Sequence, residues 1–162
     1  MRKFLSALLV LVMLLSLPGV GALAASDGLT WSLDKKGTLT ISGKGEMPDY
    51  SGDAPPWEKY RDDIKAVVIE KGVTHIGAQC FQFCTKLKSV TIPSSVESIG
   101  DAAFCRCEKL SAVYYGGTAS DWDEIEIARY NKRLTSAELV FSDAETPAPA
   151  SSEKPSAGSK FK

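Results

Sequence analysis

Residues IKAVVIEKGVTHIGAQCFQFCTK (64–86) lie over LKSVTIPSSVESIGDAAFCRCEK (87–109) without a gap, a repeat with a period of 23 residues. Nine positions are identical: Lys65/Lys88, Val67/Val90, Ile69/Ile92, Val73/Val96, Ile76/Ile99, Gly77/Gly100, Phe81/Phe104, Cys84/Cys107 and Lys86/Lys109. A third copy starts with LSAVYY (110–115) and then diverges. A unit this short cannot bury its own apolar face, so such a chain must stack its units and share one core among them. Within each unit, I/L-x-x-V-x-I reads as a short strand with one face buried. V-x-x-I-G reads as a second extended segment closed by glycine, and A-x-x-F-x-x-C-K returns the chain to the next start. The period lies inside the leucine-rich-repeat range of roughly 20–29 residues.

A stack leaves apolar core and strand edges open at both ends, and the flanks read as cover for them. Leu29, Trp31, Leu33, Leu39 and Ile41 alternate around Asp34-Lys35-Lys36-Gly37, which predicts a β-hairpin. Met47, Tyr50, Pro55, Pro56 and Trp57 form an aromatic–proline lid where that hairpin meets the first repeat. At the far end, Ala119-Ser120-Asp121-Trp122-Asp123-Glu124 offers Ser or Asp as an N-cap and acidic first-turn residues, predicting a helix around 120–127. Ser136 to Phe141 predicts a last short strand.

The chain opens MRKFLSALLVLVMLLSLPGVGALAA: a basic start, an apolar run too short for a typical membrane span, a Pro-Gly break and small residues at Ala22 and Ala24. That is the layout of a secretory signal peptide cleaved near Ala24–Ala25, with no membrane span left in the mature chain. Residues 1–25 hold two of the 19 basic residues and none of the 20 acidic ones, so the mature part carries a net charge near −3. That mild, mixed balance lacks the basic face nucleic acid would require. Residues 144–162, AETPAPASSEKPSAGSKFK, are too poor in large apolar side chains to offset the entropy of ordering and read as a disordered tail. The expected organisation is a signal peptide (1–25), an N-terminal β cap (26–63), repeats (64–115), a C-terminal α/β cap (116–142) and a Pro/Ala/Ser-rich tail (143–162).

The pattern L-x-x-V-x-I-P-x-S-V-x-x-I-G-x-x-A-F-x-x-C-x-x-L, read along Leu87 to Leu110, resembles the BspA-like leucine-rich repeats of bacterial surface and secreted proteins. The flanks 31–73 and 113–142 resemble the segments that commonly open and close such arrays, so the likeness covers roughly residues 29–142. It implies a β-rich solenoid of short repeats between an N-terminal hairpin cap and a small C-terminal cap. It also implies a secreted or cell-surface, non-catalytic module for protein recognition or adhesion, with a host or bacterial surface protein as partner. A structural or targeting module of a larger surface protein or enzyme is the alternative.

The repeat also weighs the candidate sites. Cys84 and Cys107 share one repeat position, which in leucine-rich repeats points into the core, where a free thiol packs as a small hydrophobe. Cys80 aligns with Ala103 and Cys105 with Gln82, so these two stand outside the pattern. Zinc knuckles would compete with the stacking position and a redox C-x-x-C is absent, so neither a metal nor a cofactor is expected. A disulfide among Cys80, Cys84, Cys105 and Cys107 stays open, because export permits one and neighbouring rungs, about 4.8 Å apart, are within bridging range. His75, the sole histidine, aligns with Ser98 in a polar strand slot. With the acids at 121–126 it offers the one route to a hydrolase, although those carboxylates read more simply as a helix N-terminus. Strand alternation instead points outward Val68, Thr91 and Tyr114, flanked by Ala66, Ser89 and Ala112. Val68, Thr91, Tyr114 and Ser89 are therefore the expected binding strip.

Overall fold

The computed structural model of the chain describes residues 20–26 and 28–141, the first stretch by its backbone alone. Residues 1–19 of the expected signal peptide and the expected tail at 143–162 lie outside the described residues. Strands β1 (Val20–Ser26), β2 (Leu29–Leu33), β3 (Thr38–Gly43) and β4 (Gly45–Glu46) are followed by a 3₁₀ turn at Glu58–Tyr60. Then come β5 (Ala66–Ile69), β6 (Val73–Ile76), β7 (Ser89–Ile92), β8 (Ser98–Ile99) and β9 (Ala112–Tyr115). Helix α1 (Ala119–Asp123), β10 (Glu126–Ile127), helix α2 (Lys132–Thr135) and β11 (Glu138–Phe141) complete the order.

Two sheets share one core. The longer runs β1-β2-β3-β5-β7-β9-β11 and the shorter β10-β8-β6-β4. From β3 onward the long sheet is parallel, while the hairpin joins it through antiparallel β2 and β3. The V-x-I of each repeat supplies one strand of the long sheet, and the register sets Leu39, Val67, Val90, Val113 and Leu139 side by side. Val73, Ile76, Val96 and Ile99 face the same core from β6, β8 and the loop before β8. Period-2 alternation therefore fills the interior from two directions, as the repeat demands.

The return segment is a ladder of its own. Gln79, Phe81 and Phe83 donate their N–H groups to the carbonyls of Asp101, Ala103 and Cys105, one unit further on, at 2.9–3.0 Å. To present those groups, the backbone enters the left-handed region twice per unit, at Gln79 and Ala102 (φ 59° and 57°) and at Phe83 and Arg106 (φ 63° and 62°). Each such non-glycine residue costs on the order of 1 kcal/mol or more, so the recurrence shows that stacking dictates the conformation. Phe81 stacks on Phe104 with ring centroids 5.2 Å apart, and Trp57 stacks on Phe81 at 5.7 Å. The glycine after each isoleucine is needed for close approach: a Cβ on Gly100 would sit 2.5 Å from the Ala78 nitrogen.

Side chains stand in where the ladder lacks a neighbouring unit. Trp57 Nε1 donates to the Cys80 carbonyl at 2.8 Å, and Asp49 Oδ1 accepts from the Ala78 N–H at 2.6 Å. At the other end the Phe104 N–H finds Asn131 Oδ1 at 3.1 Å, in place of the backbone carbonyl that Phe81 uses. Asn131 Nδ2 donates in turn to the carbonyls of Gly100 and Ala128. This asparagine is the buried polar residue among the described ones.

Two expectations for the C-terminal segment need correction. The helix spans Ala119–Asp123 rather than 120–127, because Glu126 and Ile127 are drawn into the short sheet as β10 beside β8. Its N-cap is Thr118, which closes a reciprocal capping box with Asp121. Helix α2, absent from the sequence reading, sinks Leu134 into the core. The expected cleavage point at Ala24–Ala25 falls within β1, whose backbone pairs with β2. Replacing Asn131 with Ala strands the Phe104 N–H and takes a donor from the Gly100 and Ala128 carbonyls, and should cost about 2–3 kcal/mol in urea unfolding. An Ala at exposed Glu108 should stay within about 0.5 kcal/mol of the parent.

Candidate functional site

The outward face of the long sheet is built by the same alternation that fills the core. Register places Ser32, Thr40, Val68, Thr91, Tyr114 and Val140 in one row across six strands. Beside it runs Thr38, Ala66, Ser89, Ala112 and Glu138. Both rows consist of hydroxyl-bearing, β-branched or small side chains with one terminal carboxylate. Tyr114 and Val140 are each 37% exposed, while Val68 and Thr91 are half-buried. Covering such a face removes hydroxyls and methyls from water but few full charges, so a partner meets little ionic desolvation cost. The four expected binding residues thus lie together, Val68, Thr91 and Tyr114 in one row and Ser89 in the next.

The four cysteines are free thiols. Cys80, Cys84 and Cys107 are fully buried, and Cys105 is partly exposed. Cys107 Sγ donates to the Phe81 carbonyl at 3.1 Å. Cys80, outside the sequence pattern, occupies the buried slot that Ala103 fills one unit later. Burial foremost pushes the Cys84 thiol up to about 12, with Arg61 pulling it back. The Cys107 and Cys80 thiols are raised well above the ordinary value, first by burial and then by neighbouring thiols. Such groups are protonated, inert packing at neutral pH. Among the described residues no group of three or more His, Cys, Asp or Glu side chains is arranged to hold a metal ion.

His75 is not joined to the acids at 121–126. Its Nδ1 lies 2.7 Å from Ser98 Oγ on the neighbouring strand, and its Nε2 lies 3.5 Å from Asp49 Oδ1. Sequence alignment had placed His75 and Ser98 in equivalent slots, but Asp49 comes from the non-repeating flank. The order Ser–His–Asp has the connectivity of a hydrolytic relay. Asp49, however, also accepts from the Ala78 N–H, lies 3.5 Å from the ring and has a side chain 63% exposed, so it is a loosely held partner for His75. A cleft of about 220 Å³ lies elsewhere, lined by Ser94, Val96, Glu97, Tyr115, Asp121, Glu124 and Ile125. Of the acids, Asp121 is held below its ordinary carboxylate range by the Thr118 backbone N–H and hydroxyl, so it closes the helix end.

Comparison with known proteins agrees with this geometry. A family model described as "BspA type Leucine rich repeat region (6 copies)" matches residues 59–139, half of the chain. No curated protein matches. A leucine-rich repeat protein from Eubacterium ventriosum is 41% identical with a TM-score of 0.53, over 56% of this chain and 24% of that one. A leucine rich cell surface protein from Faecalibacterium prausnitzii is 16% identical with a TM-score of 0.31, over 63% of this chain and 41% of that one. The chain therefore spans about a quarter of the first of these proteins. Among the described residues no helix is long and apolar enough to cross a membrane.

The buried thiols set an alkaline limit. Their folded-state values lie above the ordinary 9.0, so the unfolded chain loses these protons first. Their contribution is complete below about pH 9 and is lost as pH rises toward 12, by up to about 1.4 kcal/mol per pH unit for each thiol. Urea midpoints measured from pH 7 to 11 should be level to about pH 8.5 and then fall steeply. In the native state at pH 8, iodoacetamide should label Cys105 alone.

Proposed function

Because the chain belongs to the BspA-type leucine-rich repeat family, we propose that it is an exported, non-catalytic recognition module that binds a protein through the outward face of its long sheet. The observation that carries this reading is the continuous, nearly uncharged row from Ser32 to Val140. Tyr114 is its anchor, an exposed aromatic with a hydroxyl at its tip, the kind of residue that dominates protein interfaces. Thr91 and Ser89 add hydrogen-bonding groups, and Val68 adds apolar area. The fold serves this role as a short solenoid with the hairpin at one end and the α1–α2 segment at the other. Rigid strands hold the row in register without the partner's help, so little ordering entropy opposes binding.

Export follows from the N-terminal segment, with residues 1–25 as a signal peptide and the mature chain secreted or held at the cell surface. Cleavage near Ala24–Ala25 removes most of β1 but leaves the hairpin, whose Trp31 and Leu33 are anchored in the core. The second reading, a structural or targeting module of a larger surface protein, is favoured by one observation. The chain matches only 24% of the Eubacterium ventriosum protein, so this architecture also occurs as part of a much longer one.

Tyr114→Ala combined with Thr91→Ala should lower capture of surface proteins in a pull-down by about tenfold or more, consistent with loss of an aromatic anchor. The unfolding midpoint should stay near that of the parent, because both side chains point out of the core. Unchanged capture would move the binding face elsewhere.

A further inference from the structure

Strand β11 ends the long sheet, and among the described residues no strand lies on its outer side. Burial stops short there. Phe141 takes the sheet position of Tyr115 and Ile92 but is 37% exposed, against 1% and 0% for those two. Leu139, in line with fully buried Val113 and Val90, is only half-buried. An edge with unpaired backbone groups and apolar side chains facing inward is a template for another strand. The residues that follow in sequence, SDAETPAPA, offer two carboxylates, two prolines and nothing larger than alanine as apolar cover.

The strand fits a second copy of itself. Side chains directly opposite each other in an antiparallel pair share a face, so Leu139 and Phe141 stay inward only if odd-numbered residues oppose odd-numbered ones. Centring the pair on Val140 sets Leu139 opposite the partner's Phe141, and Phe141 opposite the partner's Leu139. It sets the exposed Val140 side chains against each other and leaves both Glu138 carboxylates beyond the paired stretch. A shift of two residues one way puts Glu138 opposite valine, and the other way leaves phenylalanine as the sole inward pair. A shift of four opposes the two Glu138 side chains, which like charges penalise.

We propose that two copies of this chain associate edge to edge through β11, antiparallel about a two-fold axis at Val140. The long sheet then continues across the dimer, and the outward row extends from one subunit through Val140 into the other. So short an edge belongs to the small, weak end of protein interfaces, and the dimer should form at roughly 0.1–1 mM. The β11 edge adjoins the outward row at Val140, but self-association is read without a partner protein and capture is tested at Thr91 and Tyr114, so either proposal can fail alone.

Sedimentation equilibrium of the full chain tests it, with Val140→Lys and Val140→Glu as variants. Val140 points outward, so both should keep the parent's unfolding midpoint. Each variant alone sets like charges across the axis and should dissociate the dimer by about tenfold or more, whereas an equimolar mixture should restore it. A parent that stays monomeric at 1 mM overturns the proposal. So does a dimer indifferent to both variants, a mixture that fails to recover, or growth beyond a dimer.

Discussion

Each turn of this chain must come back to within one hydrogen bond of the turn before it. Parallel strands sit about 4.8 Å apart, and that spacing governs everything packed inside. The Phe81 and Phe104 rings, 5.2 Å between centroids, stack because their backbones are already held near that distance. Rings at equivalent positions of successive units therefore line up along the stack. Trp57 lies outside the repeat yet takes the next place in that column, on the far side of Phe81. The identical buried positions within the repeat are thus a consequence of the backbone ladder. Lys65, Lys86, Lys88 and Lys109 are exposed, and no packing reason accounts for their identity.

A ladder of this kind has to stop, and the two ends stop it differently. At the start, polar side chains from the non-repeating flank take up backbone groups: Trp57 serves the Cys80 carbonyl and Asp49 the Ala78 N–H. The hairpin then adds β3 in the same sense and β2 in the opposite one, with Trp31 packed edge-on against Trp57. At the finish, Asn131 imitates a whole peptide unit, accepting from Phe104 while donating to Gly100 and Ala128. An amide can do both, whereas an ionised carboxylate could only accept and a hydroxyl would bring one donor for two carbonyls. That device closes the return segment but not the long sheet, which runs on into β11.

How much of this could be read from the sequence depends on where the period holds. Between 64 and 115 it holds, so the inward set, the outward set and the buried Cys84/Cys107 slot were all legible. Cys80 seemed anomalous only because a cysteine replaced the alanine of the next unit. Past Tyr115 the period breaks. The N–H of Gln79 reaches Asp101, 22 residues on, but the N–H of Ala102 reaches Arg129, 27 residues on. Tyr130, with φ 64°, repeats the left-handed step of Gln79 and Ala102, but the five extra residues hide the match. Helix α1 looked longer in sequence because local propensity favours continuing it, whereas β8 needed Glu126 and Ile127 as its neighbour. Asp49 beside His75 was invisible for a related reason: nothing in a repeat alignment places a residue from outside it.

The outward strand positions show what the ladder leaves free. Ala66 becomes Ser89 and Ala112, and Val68 becomes Thr91 and Tyr114, while the inward neighbours Val67, Val90 and Val113 do not change. Backbone pairing fixes where each outward side chain stands to within a strand spacing, yet makes no demand on its chemistry. Position is therefore supplied by the fold and identity is open to whatever the surface must meet. A partner that reads this row reads differences between units, which the core cannot tolerate and the surface can. On the proposed reading, recognition and stability are carried by alternate residues of the same strands, and a substitution such as Thr91→Ala alters one while leaving the other intact.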